Sequence, residues 1–472
     1  MRSIRQLVFV GQGLWLQMAV ALACRQLKPF GMHCSAIEMP GLQPESGSVA
    51  CGPELQSVCQ MLGLNMIEIL RQASATFSLG RDYKDAANSE ARPPSSGWFV
   101  PYGSFGLSQN GAEFEQGLFG YLATQPDQQL EPYCLAAHAA RHGKFALAPQ
   151  SRPDLKALLD FGLHLDSHAF AAVLRQYNQQ QGVAFVQSET LNMQQTAEGV
   201  IQHVVLDDGQ TLPLDFFIDC RPAADQADSA ACRIQLSAEQ PGSELNRPYT
   251  SVERTPWGWL VNHPLQGRCI WYTEFSPSLH RQEQITEWLE KRLAKPAWKT
   301  RHRRQQAPQH LWQANCLKLG LAAEALDSPL LDDLGALQYL LIRWLDLLPN
   351  QTLCPATASL FNQHWQLYYQ ESLDYLKYHQ APLETESGRL FARLGRLPMQ
   401  ETDAIRNVQR IALLYGLGLR PQLPSRLLAC NSPTEIADAM EKIRYHLNNL
   451  VVGMPEHQQT LSRCLAAPFV DR

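Results

Sequence analysis

The sequence predicts an α/β fold that opens as a Rossmann-like dinucleotide-binding unit, continues into an antiparallel sheet and ends in helices. Three observations predict it. Residues 7–10 are an apolar run followed at once by Gly11-Gln12-Gly13, the strand and tight turn that begin a nucleotide-binding βα unit. Residues 249–275 are aromatic and alternate in polarity between turns, as antiparallel strands do. From Gln282 onward the pattern is mostly helical, with a strongly apolar core helix over 334–348.

Taken in order, the first strand leads through the glycine turn into a helix over 18–27. The fingerprint of such turns is G-x-G-x-x-G, the third glycine serving close helix-on-strand packing. Here the third position is Leu16, with Trp15 beside it, so crowding is expected where a pyrophosphate would lie. A second strand over 34–38 ends in Glu38, 25 residues beyond Gly13, where the fold places an acid on the ribose hydroxyls. Residues 41–54 read as loop, 55–70 as helix and 84–97 as a polar surface loop around Pro93-Pro94. Helices are expected over 117–122, 133–142 and 167–180. Strands 199–206 and 211–217 read as a hairpin around Asp207-Asp208-Gly209, and 216–220 as a further buried strand.

The chain has 472 residues, too many for one simple core. Its division is expected as a dinucleotide-binding domain with an inserted antiparallel sheet over 1–348 and a helical subdomain over 349–472. A net charge of −5 gives no basic footprint for nucleic acid. Twelve cysteines without a C-x-x-C pair point to reduced thiols and no metal site. Arg2 and Arg5 before an apolar run imitate a secretory signal, but Gly11, Gln12, Gly13 and Gln17 interrupt that run. The expected location is therefore cytoplasmic, with no membrane partner.

Several segments together resemble the flavin-dependent tryptophan halogenase family. The strand and helix from Val8 to Leu22 match its opening. Phe161-Gly162-Leu163-His164-Leu165-Asp166 followed by Leu174-Arg175 is similar to its His-Phe-Asp segment and Leu-Arg helix. Phe217-Ile218-Asp219-Cys220 is similar to the strand carrying a second flavin contact. Trp257-Gly258-Trp259 followed by Pro264-Leu265 resembles the W-x-W-x-I-P signature with two residues inserted. Asn315-Cys316 through Gly320-Leu321-Ala322-Ala323 resembles the segment entering the halide loop, and Met454-Pro455-Glu456-His457 a pattern near the family C-terminus.

The resemblance implies an FAD-binding fold of the flavoprotein monooxygenase and halogenase type, with the antiparallel sheet on the substrate side. In that family reduced flavin, oxygen and halide give hypohalous acid, and a lysine and a glutamate direct it onto an aromatic carbon. Position by position, this chain departs. The lysine of a Thr-Phe-Lys segment is Ser78, which cannot make the charge-assisted hydrogen bond of an ammonium; Lys84 is a poor substitute. The glutamate of Gly-Phe-x-Glu-Pro-Leu-Glu-Ser-Thr is Leu330, and Leu331 and Asp332 take the places of the Ser and Thr near the halide, with Asp333 adjacent. A carboxylate there repels chloride. Val49-Ala50-Cys51-Gly52-Pro53 replaces Val-Gly-Glu-Ala-Thr, and Arg221-Pro222 replaces Ser-Gly; proline removes a backbone donor where glycine lets a ligand approach.

The dinucleotide fingerprint places Gly11, Gly13, Leu16 and Glu38 at the cofactor and the resemblance adds Asp219, with FAD binding expected but weakened. Trp257 and Trp259, two apart on one strand and so on one face, are expected to line a pocket for an aromatic small molecule, although same-face aromatics also serve as packing. His164 reads as a satisfied structural histidine, and Cys220 and Cys316 as packing residues. The leading reading is a family member that lacks halogenase activity. The alternatives are an active flavin-dependent monooxygenase, a hydroxylase or halogenase, acting on tryptophan or another indole with a flavin reductase as partner. Flavin itself carries oxygen activation, so losing the lysine and glutamate does not alone abolish monooxygenation.

Overall fold

The computed structural model describes residues 4–40, 42, 47–84, 97–106, 114–125, 128–222, 232–242, 247–293, 297–304, 308–323, 328, 330–349, 353–398, 400–402, 404–422 and 432–467. Two compact units share the chain discontinuously. The first takes 1–75, 165–240 and 272–369; the second takes 76–164, 241–271 and 370–472. The chain thus passes back and forth between the units, and the expected break at 348/349 is not where they divide.

The first unit is built on a six-stranded sheet. Its order is Trp312–Gln313, Cys316–Lys318, Phe216–Asp219, β1 (Gln6–Gly11), β2 (His33–Glu38) and Ala184–Gln187. All neighbours are parallel except the first pair. Helix α1 (Gly13–Leu27) makes the crossover from β1 to β2. It starts at Gly13, five residues before the predicted start. Leu14-Trp15-Leu16 is apolar without a helical stripe, and all three residues are buried.

Strand alternation sorts the core. Val8, Val10, Ile37 and Phe217 pack with Ile201, Val204 and Leu206 of a three-stranded antiparallel layer and with Leu214 just beyond it. Phe216, one residue out of step with Phe217, meets Trp344 at 5.3 Å and Trp312 at 5.6 Å between ring centroids. Trp344 belongs to the helix Asp333–Leu347, one residue from its expected bounds. The helix Ser167–Gln180 has the predicted bounds, its start fixed by the Asp166 side chain accepting from the Ala169 amide.

Four segments differ from their expected form. Residues 48–51 form a strand inside the predicted loop. The helix expected over 55–70 is two, Glu54–Leu62 and Met66–Gln72, because Gly63 takes a left-handed φ of 71° and closes the first. The hairpin strand after Gly209 ends at Pro213, and Phe216 joins the parallel sheet instead. The region after Gln282, read as mostly helical, also holds the strands Lys299–Arg304, Trp312–Gln313 and Cys316–Lys318.

The second unit carries the expected antiparallel pair Thr250–Thr255 and Gly258–Leu265. Thr250–Thr255 also runs parallel to Gly80–Lys84, which pairs antiparallel with Trp98–Pro101. A shorter ladder sets Thr76 opposite His164 and Ser78 opposite Gly162. Phe77, Phe145, Phe161 and His457 form one aromatic cluster, with Phe77 and Phe145 stacked at 4.3 Å. Helix Pro433–Gly453 opens with a Ser432–Glu435 capping box. No helix among the described residues is long and apolar enough to cross a membrane.

Candidate functional site

In the first unit, the turn after β1 is built on two glycines in positive-φ conformations. Gly11 has φ 150° and Gly13 φ 65°. A Cβ on Gly11 would lie 3.0 Å from the Cys220 Cβ and 3.2 Å from its carbonyl carbon, so only glycine fits. Gln12 places no side-chain cap on α1. Leu16 is 0% exposed and Trp15 6% exposed, and Trp15 lies against Gly320, where a Cβ would come within 2.9 Å of the Trp15 Cβ. A residue lining an open groove keeps exposure. Leu16 has none, so the crowding expected from it at the pyrophosphate position is corrected: it packs inside.

Glu38 ends β2 as predicted. Its carboxylate takes a forked pair of hydrogen bonds from Arg175, 2.8 and 3.0 Å, and a third from Gln17 Nε2 at 3.0 Å. Asn178 Nδ2 in turn donates to the Gln17 carbonyl and side-chain oxygens at 2.9 and 3.0 Å. The carboxylate is therefore held by three donors before any ligand arrives. Asp219 is held likewise, accepting from the Arg221 backbone amide and guanidinium at 2.7–3.0 Å. Cys220 is buried, and burial with the nearby Asp219 charge pushes the Cys316 thiol up to about 12. A thiol raised that far is a poor nucleophile at neutral pH.

Of the segment expected to carry the glutamate and halide positions, 324–327 and 329 lie outside the described residues. Leu330 is described and buried, 4% exposed. Asp332 caps the helix Asp333–Leu347: its Oδ1 accepts from the Gly335 amide at 2.9 Å and its Oδ2 from the Gly52 amide at 2.5 Å. One carboxylate thus takes a helix N-terminal amide and a backbone amide 280 positions away, the donors that would otherwise favour an anion. Replacing Asp332 with Ala is expected to cost about 1–2 kcal/mol, as for other N-cap losses, read from urea unfolding.

In the second unit, Ser78 is fully buried and its hydroxyl donates to the Gly80 carbonyl at 3.2 Å. Lys84 is exposed at the end of its strand. Three residues beyond Ser78, Arg81 is 3% exposed, a buried cation the sequence reading missed. Its backbone pairs with Thr250. The Thr76 hydroxyl donates to the Pro264 carbonyl at 2.6 Å, so its oxygen accepts from His164 Nδ1 at 3.2 Å. His164 Nε2 then accepts from the Thr250 hydroxyl at 2.9 Å. Burial foremost, with the charges of His263, His457 and Arg81, holds His164 far below the usual histidine range. His263, 5.5 Å away ring to ring, is pushed down to about 3 by burial and then Arg81.

Trp257 is not on the strand. It lies in the turn that joins Thr250–Thr255 to Gly258–Leu265, so the two tryptophans are not a same-face pair. Pro256 before it and Gly258 at φ 154° end one strand and start the next. Trp259, half-buried, meets Tyr83 edge-on at 5.8 Å and His379 at 5.5 Å. Tyr83 stacks on Trp98 at 5.3 Å and His379 Nε2 lies 3.2 Å from its hydroxyl. Trp259 is therefore engaged in an aromatic cluster. Among the described residues no group of three or more His, Cys, Asp or Glu could hold a metal.

A β–Gly-x-Gly–α–β unit whose second strand ends in a held acid defines the class: an α/β protein with a Rossmann-like dinucleotide-binding fold. The profile of the tryptophan halogenase family matches residues 6–430, and the chain belongs to that family. Its fold is similar to that of BrvH, a flavin-dependent halogenase from Brevundimonas sp. BAL3, with a TM-score of 0.87 at 22% identity over 98% of this chain and 99% of that one. A flavin-dependent halogenase from Xanthomonas campestris matches at 0.87 and 21% over 100% of both chains. A tryptophan 6-halogenase from Streptomyces toxytricini matches at 0.82 and 18% over 97% of this chain and 99% of that one. The fold is the flavin-dependent halogenase fold.

Proposed function

We propose that this chain is a tryptophan halogenase family protein that does not halogenate and instead binds an aromatic small molecule. One observation carries the reading: Asp332 seats its own carboxylate on the Gly52 and Gly335 amides, beside the positions the resemblance assigns to halide. An internal anion there opposes chloride by Coulomb repulsion and has already satisfied the donors. Ser78 and Leu330 supply neither the ammonium nor the carboxylate that steer the oxidant.

The residues present fit the dinucleotide half of FAD. Gly11 and Gly13 would let the pyrophosphate approach the start of α1, and Glu38 would face the ribose hydroxyls while keeping Arg175. When bound and reduced, FAD supplies oxygen activation. This turn geometry favours a second reading, an active flavin-dependent monooxygenase of an indole or other aromatic, which needs no halide position.

The test is the purified protein with FAD, NADH, a flavin reductase, bromide and tryptophan or indole. The two missing catalytic groups predict bromination at least ~10⁴-fold slower than by an active halogenase run alongside. Brominated product at a comparable rate overturns the proposal. A protein that stays yellow after gel filtration from FAD, and yields hydroxylated product, supports the second reading.

A further inference from the structure

The seam between α1 and β2 brings two cysteines together. At one end of this seam Gln17 Nε2 reaches the Glu38 carboxylate at 3.0 Å. Seven residues further along α1, about 10 Å and two turns on, the same helix face presents Cys24. Four residues back along β2, about 13 Å and on the same strand face, stands Cys34. Helix and strand run in opposite directions across the crossover, so both cysteines stand at the far end of the seam. Both are reduced and buried, Cys24 at 4% and Cys34 at 7% exposure.

We infer that Cys24 and Cys34 form a peroxide-sensitive dithiol pair, with Cys24 the attacking sulfur and Cys34 the resolving one. A hydrogen bond from Cys34 foremost, aided by the Lys28 charge and opposed by burial, pulls the Cys24 thiol down to about 7. The same contact and burial push Cys34 up. The Cys24 thiolate attacks one peroxide oxygen, the O–O bond breaks, and hydroxide leaves to take up a proton as water. Cys34 then attacks the sulfur of the Cys24 sulfenic acid. The S–S bond forms, the S–O bond breaks, and a second water carries off the remaining thiol proton. Two thiols lose two electrons and one peroxide becomes two waters. The bond ties α1 to β2, the elements that carry Gly13 and Glu38.

The experiment treats the full chain with one equivalent of hydrogen peroxide, blocks free thiols and maps peptides without reduction. Cleavage after Arg25 puts Cys24 on a separate peptide, and fragmentation of the linked pair tells Cys34 from Cys51 and Cys59, which share its peptide; a Cys24–Cys34 cross-link, about 2 Da lighter than the two thiols and reversed by dithiothreitol, is the expected product. Cys34→Ser is expected to leave a dimedone-reactive sulfenic acid on Cys24, and Cys24→Ser to slow loss of the Cys34 thiol at least ~10-fold. Cys24 and Cys34 remaining as thiols in the unmutated protein while the exposed Cys354 oxidises would overturn the inference. So would a cross-link from either cysteine to a different partner. The unmutated map stands even if a variant fails to fold.

Discussion

Lowering the pH from 7 to 5 is expected to destabilise the second unit by about 4 kcal/mol through two histidines alone. His263 and His379 are pushed down to about 3, in both cases chiefly by burial, against 6.5 in an unfolded chain. Below pH 6.5 the unfolded state binds protons that the folded state refuses. Stability is therefore complete above the unfolded value and lost as pH falls toward the folded one. The slope tends to about 1.4 kcal/mol per pH unit per group, or about 2 kcal/mol each over this interval. His164 acts in the same direction.

Asp82 opposes them. Burial raises its carboxyl despite the Arg141 guanidinium 2.6 Å away, so the folded state takes up a proton first and gains as pH falls. Urea unfolding of the wild type and of His379→Gln at pH 7, 6 and 5 checks the balance. The variant is expected to lose about a third to a half of the acid slope. Equal slopes would show that His379 is not held neutral.

Gly80→Ala is expected to cost about 3–5 kcal/mol, combining left-handed backbone strain with a clash that cannot relax. Gly80 has φ 150°, and a Cβ there would lie 2.2 Å from the Val100 carbonyl oxygen and 2.9 Å from the Pro101 Cα. Both neighbours are backbone of the strand paired with it. The same pair sets Tyr83 opposite Trp98, so the stack of their rings should loosen with it. Loss of near-ultraviolet circular dichroism and an earlier urea midpoint are the readouts. Gly267→Ala is the control. Its φ is 77° and nothing lies within 4 Å of a Cβ, so only about 1–2 kcal/mol of backbone strain is expected. Equal costs at the two positions would contradict the steric argument.

What was legible in the sequence is what short-range pattern encodes. The apolar run before Gly11-Gln12-Gly13 specified β1 and its turn, and Phe170, Val173 and Leu174 at helical spacing specified Ser167–Gln180. Elements without such a pattern were missed. Lys299–Arg304 reads Lys-Thr-Arg-His-Arg-Arg and gives no apolar alternation. Trp257 looked like a strand residue until Pro256 and Gly258 turned the chain around it. Residue types at the candidate site were legible through the family resemblance, but their pairings were not. Glu38 meets Arg175 across 137 positions and Gly52 meets Asp332 across 280. Only tertiary folding brings such partners together. The buried Arg81 carried no signal, since a charged residue between Gly80 and Asp82 reads as surface.

Loss of halide binding requires that the Gly52 and Gly335 amides be closed to an outside anion. Crystals soaked in concentrated bromide and measured at the bromine absorption edge answer this directly. The expected map has no anomalous peak within hydrogen-bonding distance of either amide in the wild-type protein, and a peak there in Asp332→Ser. A well-occupied bromide on those amides beside an intact Asp332 would contradict the account.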